Sequence, residues 1–112
     1  MLLSWLSGRA RLYPFEVRII EAVGAGLRRD SQYRLQRQAE AINYIQRLAD
    51  GREVNLYRMR RGRAVFDDDL RFPAAADEAL LATAALSEPA GRVSFGVEVW
   101  LAKGRLFSLE FS

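Results

Sequence analysis

Cysteine and histidine are both absent from the 112 residues of the chain. Without cysteine there is no disulfide, no thiolate nucleophile and no sulfur ligand for a metal. Without histidine there is neither the commonest general base near neutral pH nor the commonest metal ligand. Histidine-dependent triads and cysteine–histidine zinc sites are therefore excluded, and we expect a protein that is not an enzyme and holds no cofactor or metal.

Long hydrophobic runs are absent as well, since no stretch approaches the roughly 20 apolar residues needed to span a bilayer. The apolar run at residues 2–6 is too short for a secretion signal and is followed by Arg9 and Arg11. Half of the residues are hydrophobic and 28% are charged, which is typical of a globular domain. We expect one domain over residues 1–112, located in the cytoplasm and without a membrane partner.

Lysine is almost absent, because sixteen of the seventeen basic residues are arginine. The net charge is +3, but residues 1–63 carry +7 and residues 64–112 carry −4. Two such halves neutralise each other when they fold together, which is the common outcome in a small domain. An acidic partner for the first half is the alternative.

The spacing of apolar residues predicts two helices in the first half of the chain. The first covers residues 14–27, with Pro14 in its first turn, where proline is tolerated. The second covers residues 31–49, with Gly51 as a left-handed residue just beyond its end. The apolar stripe of the second helix consists of Leu35, Ala39, Ile42, Ile45 and Ala49.

Alternating patterns after Gly51 predict strands at about 53–59, 63–67, 80–87, 92–101 and 105–111. The alanine-rich segment 74–88 fits either a helix or a strand, and we predict a helical turn near 74–79 before the strand at 80–87. The expected architecture is α+β: two N-terminal helices packed on one face of a four- to five-stranded, mainly antiparallel sheet.

Two similar turns, "RRGR" at residues 60–63 and "AKGR" at 102–105, connect pairs of these strands. A three-residue loop with a left-handed glycine in third place predicts that Val99 faces Phe107 and that Leu56 faces Phe66. A two-residue loop would mix the two faces of the C-terminal hairpin. It would also set Arg60 directly opposite Arg63, so we expect the longer loop.

In that register Trp100 and Leu106 share the second face of the sheet, where large apolar groups need cover, either from the N-terminal segment 2–6 of the same chain or from a partner. We therefore expect a small non-enzymatic protein-interaction module, for example a bacterial adaptor or an immunity-type protein. Self-association into a homodimer is one form of this hypothesis. The candidate partner-binding residues are Trp100, Leu106, Arg60, Arg61 and Arg63.

The arginine surplus supports an alternative, a module that binds RNA or DNA through phosphate contacts and base stacking. Its candidate residues are Arg28, Arg29, Arg34, Arg37, Tyr57 and Arg58. No known sequence signature of an RNA- or DNA-binding motif accompanies them, and nucleic acid is the less favoured partner.

Two acidic features offer weaker alternatives. The run 67–69 of three aspartates lacks the alternating ligands and central glycine of a calcium loop, so neutralisation of nearby arginines is favoured over metal binding. Glu98 and Glu110 lie on diagonal positions in the expected register, about 7–8 Å apart. With Trp100 beside them they resemble the carboxylate pair of a glycosidase, but alternation alone explains them, and we predict no catalytic residue.

Overall fold

Two helices pack on one face of a five-stranded antiparallel sheet in the computed structural model. The structure describes residues 11–65, 68–73, 76–87, 89–91 and 94–112. The helices are α1 (Pro14–Ala25) and α2 (Arg29–Glu40). The sheet has the order β1-β2-β7-β6-β5, with a separate two-stranded sheet formed by β3 and β4. The strands are β1 (Tyr44–Arg47), β2 (Glu53–Tyr57), β3 (Met59–Arg60), β4 (Arg63–Ala64), β5 (Glu78–Ser87), β6 (Ser94–Ala102) and β7 (Arg105–Phe111). The expected α+β class is confirmed.

Helix α1 begins at Pro14, as predicted, and ends two residues before the predicted end. The carboxylate of Glu16 accepts a hydrogen bond of 2.7 Å from the backbone N–H of Tyr13, which caps the first turn. Ile19, Ile20 and Val23 point into the core. The glycines near residue 25 end the helix, in line with their poor helix propensity.

Helix α2 is shorter than predicted, and the expectation of a helix over 31–49 is wrong beyond Glu40. Residues 44–47 form β1 instead, which pairs with β2 and sets Ile45 opposite Leu56. Asn43 holds this change of direction, because its side chain donates to the carbonyl of Met59 at 2.9 Å and accepts from the N–H of Met59 at 2.6 Å. Gly51 is left-handed, with φ of +73°, but in the turn between β1 and β2. The backbone groups of β2 gain ladder partners that a helix over 44–47 would not provide.

The alanine-rich segment is a strand, β5, from Glu78 to Ser87, so the predicted strand at 80–87 is confirmed. The predicted helical turn near 74–79 is wrong at Glu78 and Ala79, which belong to this strand, while residues 74 and 75 lie outside the described residues. The strands predicted at 92–101 and 105–111 are present as β6 and β7, with residues 92 and 93 outside the described part. Pairing with β6 decides the state of this segment, because alanine alone favours a helix.

Both glycine turns contain two residues, not three. Arg61 and Gly62 have φ of 54° and 79°, and Lys103 and Gly104 have φ of 52° and 79°. Positive φ at both central positions is the pattern of a type I′ turn, whose twist matches that of the flanking strands. Arg60 therefore does lie opposite Arg63, and the solvent exposure of both side chains limits their repulsion.

The hairpin of β3 and β4 stands outside the main sheet, so the predicted strands 53–59 and 63–67 are only partly correct. Strand β2 ends at Tyr57, and Leu56 faces Ile45. The expected partner of Leu56, Phe66, lies outside the described residues. Strand β1 takes the place in the main sheet that we expected for residues 63–67.

A β-bulge keeps the apolar residues of the C-terminal hairpin on one face of the sheet. Leu101 pairs with Leu106 and Trp100 pairs with Ser108, so Phe107 is the extra residue. Beyond the bulge Val99 faces Leu109 rather than Phe107. A two-residue turn therefore coexists with two apolar rows, and Leu106 joins the core with 5% of its surface exposed.

Two buried polar side chains join the helices to the sheet. Glu16, 1% exposed, receives the Arg47 guanidinium of β1 at 2.6 Å and 3.3 Å. Gln38 of α2, also 1% exposed, donates to the carbonyl of Gly104 at 3.2 Å and accepts from the N–H of Leu106 at 2.8 Å. These contacts fix both helices over one face of the sheet and leave the other face without a helix among the described residues.

Candidate protein-interaction face

We call the face of the sheet that is turned away from the helices the open face. Its side chains alternate along the strands with core residues such as Val54, Val99 and Leu109. The pairings place the following residues on it: Tyr44, Gln46, Glu53, Asn55, Tyr57, Leu80, Thr83, Glu98, Trp100, Ser108 and Glu110.

Three glutamates form a row straight across the open face. Glu53 of β2 lies opposite Glu110 of β7, Glu110 lies opposite Glu98 of β6, and the row ends on Thr83 of β5. Directly opposite side chains have Cβ atoms about 4.5–5.5 Å apart, close enough for like charges to repel. Partial burial, then the charges of Glu53 and Glu98, raise the pKa of Glu110, and a hydrogen bond from Ser108 lowers it by a smaller amount.

No arginine of the described residues forms a salt bridge with this row, although the chain is rich in arginine. The salt bridges found there join Arg28 to Asp30 and Arg47 to Glu16. The part of the chain that the structure describes therefore leaves a line of carboxylates without a paired arginine.

A second row lies beside the glutamates and consists of Gln46, Asn55, Ser108 and Trp100. It is polar, and its central residues are more deeply buried than the glutamates. Asn55 is 8% exposed, and its Nδ2 donates to Oε1 of Gln46 at 3.5 Å. The Oδ1 atom of Asn55 is buried and accepts no hydrogen bond from the described residues. Trp100, at the other end of the row, donates from Nε1 to Oε1 of Glu98 at 3.1 Å. A buried acceptor without a donor destabilises the fold by about 1–3 kcal/mol.

A cluster of aromatic rings flanks the polar row. The rings of Tyr44 and Tyr57 lie 5.9 Å apart, and Tyr57 meets Phe107 edge-on at 5.4 Å. Tyr44 is 40% exposed, and Leu80 at the far side of the sheet is 46% exposed. Aromatic faces of this kind attract cations as well as apolar groups.

Several hydrogen-bond donors of the open face are paired with acceptors of the same face. Three donors are already engaged inside the protein: Trp100 with Glu98, the Tyr57 hydroxyl with Gln46, and the Ser108 hydroxyl with Glu110. Besides the neutral polar groups of Tyr44, Gln46 and Thr83, the face presents the carboxylate oxygens of the glutamate row, which are charged acceptors. The negative charge of this row favours a ligand with cationic donors.

The predicted partner-binding residues do not lie together. Trp100 is on the open face, half-buried beside Glu98, whereas Leu106 is in the core. Arg60, Arg61 and Arg63 are exposed on the β3–β4 hairpin. The expected proximity of Trp100 and Leu106 on one surface is wrong, because the bulge at Phe107 turns Leu106 to the opposite face.

The predicted nucleic-acid residues divide in the same way. Arg28, Arg29 and Arg34 lie around the start of α2, where they line an open depression of about 810 Å³ with Asp30, Tyr33, Asp69 and Leu70. Arg34 also donates to the carbonyls of Asp69 and Arg71 at 3.0 Å and 3.2 Å. The guanidinium of Arg37 lies 5.9 Å from the ring of Tyr33.

Tyr57 does not belong to that basic surface, because its ring is packed in the aromatic cluster of the open face. Arg58 is half-buried between β2 and β3. Tyr33, 57% exposed, is the aromatic residue that accompanies the arginines instead. Sequence reasoning missed it because helical spacing places it off the apolar stripe.

The acidic features also differ from expectation. Glu98 and Glu110 are direct partners, not diagonal neighbours, which places them closer together than predicted. Asp67 lies outside the described residues, and of Asp68 only the backbone is described. No group of three or more acidic side chains in the described ranges is arranged to hold a metal ion. Among the same residues no helix is long and apolar enough to cross a membrane.

Comparison with known proteins adds no identification. No family model matches the chain, and neither a curated protein nor a solved structure is significantly similar to it. Function is therefore argued from the open face itself, since a fold class alone does not imply an activity.

Sequence reasoning missed Glu53, Asn55 and Tyr44 as members of this face. The alternation of Glu53 and Asn55 with Val54 and Leu56 was visible in the sequence and could have placed both residues on one side of β2. Tyr44 could not have been found, because its segment fits the helical stripe.

Proposed function

We propose that this domain is a non-enzymatic protein-interaction module whose open face binds a basic segment of a partner protein. The observation that carries the proposal is the row of three carboxylates, with which no described arginine forms a salt bridge. The donors of Trp100, Tyr57 and Ser108 are engaged within the face, and the carboxylate oxygens of the row have acceptor capacity left. Arginine and lysine side chains carry only donors.

The electrostatics of the row support the same partner. Glu110 faces a carboxylate on each side, and its pKa is raised by burial and by those charges. The row therefore destabilises the isolated fold, and a guanidinium placed between two carboxylates would relieve the repulsion while forming charge-assisted hydrogen bonds. Sites that bind ligands commonly retain groups that lower the stability of the free protein.

The aromatic residues suit the rest of such a segment. Trp100 borders the row, and Tyr44, Tyr57 and Phe107 lie nearby. An arginine that pairs with a glutamate can stack its planar guanidinium on an adjacent ring. Aromatic residues are also enriched among those that dominate binding energies at interfaces. A bacterial adaptor, or an immunity-type protein that covers a basic surface of its target, would use a face of this composition.

The test uses two synthetic peptides of equal length, one alternating arginine with alanine and one alternating glutamate with alanine. Trp5 is replaced by phenylalanine in all proteins, so that Trp100 is the only tryptophan and its fluorescence reports events at the open face. We expect the basic peptide to change the fluorescence of Trp100 and the acidic peptide to have no effect. Binding should weaken as salt is added, because the row is partly exposed to solvent.

The matched variants carry the same change of net charge on opposite sides of the molecule. Glu98→Gln combined with Glu110→Gln should weaken binding of the basic peptide by about tenfold or more, the loss of roughly two charge-assisted hydrogen bonds. Glu21→Gln combined with Glu40→Gln changes two exposed helix residues and should leave binding nearly unchanged. Equal loss in both double variants would reduce the effect to net charge and would reject the open face as the binding surface.

The depression at the start of α2 favours a second candidate, binding of RNA or DNA. Arg28, Arg29 and Tyr33 line it together, which combines phosphate-binding side chains with an exposed ring. We expect a labelled single strand to bind at low salt and to be lost when Arg28, Arg29 and Tyr33 are replaced by alanine. The Glu98→Gln and Glu110→Gln variant should not weaken this binding, and absence of binding at low salt would exclude the candidate.

A further inference from the structure

Strand β5 forms one edge of the five-stranded sheet and is its longest strand, running from Glu78 to Ser87. From Ala79 to Ser87 it contains no charged residue, proline or glycine. Natural proteins usually protect an exposed edge with lysine, proline or a very short strand, because its unpaired N–H and C=O groups pair readily with another chain. The opposite edge, β1, has only four residues. Within the described residues, the edge at β5 therefore has little protection other than the irregularity between Leu80 and Ala82.

The side chains of β5 are complementary to those of a second β5 in antiparallel orientation. Pairing with β6 places Leu80, Thr83 and Ala85 on the open face and Ala79, Ala82, Ala84 and Leu86 on the helix face. With Thr83 opposite itself, Ala82 faces Ala84, Leu80 faces Ala85, and Ala79 faces Leu86. Leu80 and Leu86 thus each meet an alanine on their own face, and Leu81 is the bulged residue without a direct partner. Glu78 faces Ser87, so no two like charges within the paired strands are opposite each other. The β-bulges between Leu80 and Ala82 of the two copies then lie symmetrically on either side of the Thr83 pair.

We infer that β5 pairs with β5 of a second copy of this chain, forming a symmetric dimer with a continuous ten-stranded sheet. The two-fold axis passes beside Thr83, and the backbone groups of both edges gain partners except at the bulges at Leu81. The inference goes beyond the proposed function and does not depend on it. It rests on the strand, its register and its composition, whatever the open face binds.

The dimer has a consequence for the open face. The row of Glu53, Glu110 and Glu98 ends on Thr83, so the axis joins it to the same row of the second copy. The two open faces become one surface with six carboxylates in line. A symmetric partner with two basic segments could engage both halves at once, which raises the apparent affinity without a new contact.

The first test is the mass of the protein in solution, measured by light scattering during gel filtration and by sedimentation over a range of concentrations up to about 100 µM, because dimers respond to protomer concentration. We expect twice the mass of the chain. Thr83→Glu sets two carboxylates opposite each other at the axis and should weaken the dimer by up to about fivefold. Gln46→Glu, which adds the same charge to the same face at the β1 edge, should leave the dimer intact.

A mixture of two charged variants distinguishes repulsion between residues at the axis from destabilisation of the fold. Thr83→Glu and Thr83→Lys are each expected to favour the monomer, and an equimolar mixture of the two should restore a mixed dimer. If neither single variant weakens the dimer, the contact lies elsewhere and the inference is wrong. Failure of the mixture to recover also contradicts it, because opposite charges at the axis should pair.

The absence of cysteine allows a check of the register. Thr83→Cys brings two thiols into direct opposition, at a Cβ distance close to that of a disulfide, and should yield a cross-linked dimer under mild oxidation. Gln46→Cys, exposed at the other edge, should not. A wild-type chain that is monomeric at all concentrations, or cross-linking that is equal in the two variants, overturns the inference. Loss of peptide binding at the open face would leave it standing.

Discussion

Glu110 lies directly between Glu98 and Glu53, so its carboxylate faces a like charge on the strand to either side. The described arginines do not neutralise the row, although arginine is the commonest charged residue in the chain. This relationship links the stability of the fold to the proposed binding of a cation. It also makes the row testable in the absence of any partner.

Glu110→Gln should stabilise the free protein at neutral pH. Burial and the neighbouring glutamates raise the pKa of Glu110 in the folded state, so the folded chain binds this proton more tightly than the unfolded chain does. The stability from that proton is present at low pH and is lost as pH rises through the raised pKa. We expect the variant to gain up to about 1 kcal/mol at pH 7 in urea unfolding, the size of one or two relieved like-charge pairs.

The gain should disappear below about pH 4, where an ordinary glutamate is itself protonated. Glu21→Gln, at an exposed position of α1, serves as the control and should show no such dependence on pH. If the free energies of unfolding of wild type and Glu110→Gln change with pH in the same way, the row of glutamates does not destabilise the fold.

The buried ion pair between Glu16 and Arg47 should be essential for docking α1 on β1. Arg47→Met leaves the Glu16 carboxylate, 1% exposed, without its cation, and we expect a loss of roughly 3 kcal/mol in chemical unfolding. Glu16→Leu with Arg47→Met removes both charges and should cost less than the sum of the single changes. Additive losses would mean that the two side chains act independently.

Gln38 should be more important than its neutral side chain suggests. Gln38→Leu leaves the N–H of Leu106 and the carbonyl of Gly104 without this partner, and we expect a loss of about 2–3 kcal/mol. Gln36→Leu is the matched control two residues earlier on the exposed side of α2, where a change should stay within about 0.5 kcal/mol. Similar melting temperatures for both variants would argue against the bridging role of Gln38.

The two type I′ turns provide a matched pair of glycine substitutions. Gly62 and Gly104 both have φ of 79°, so alanine pays the same left-handed penalty of about 1–2 kcal/mol at each. At Gly62 the added methyl group meets open space, whereas at Gly104 it would overlap the carbonyl oxygen of Phe72. We therefore expect Gly104→Ala to lower stability by roughly 2 kcal/mol more than Gly62→Ala, the scale of overpacking. Equal thermal shifts would contradict the close packing of residues 71–72 on the second turn.

Much of the architecture could be predicted from local patterns. Pro14 and the apolar spacing after it determine α1, and the alternation of Val97, Val99 and Leu101 determines the core face of β6. The exclusion of cysteine and histidine chemistry follows from composition alone. These features depend on residues close together in the chain, which is why the sequence is sufficient for them.

The candidate site was only partly predictable. Glu98, Glu110 and Trp100 were visible as a group on one face because alternation along β6 and β7 places them there. The contribution of Glu53 and Asn55 required the position of β2 beside β7, a pairing between strands far apart in the chain. The removal of Leu106 from the face required the bulge at Phe107, which alternation does not reveal.

The sequence by itself determined the class of the fold, the left-handed glycines and the absence of histidine and cysteine chemistry, because each follows from single residues or short periodic patterns. Tertiary structure decided that residues 44–47 form a strand, since Ile45 fits a helical stripe and a strand equally well until Leu56 lies opposite it. It also decided that Glu53, Glu110 and Glu98 form one row. The physical reason is the same in both cases: strand pairing satisfies backbone hydrogen bonds between distant segments, and local preference cannot specify which segments those are.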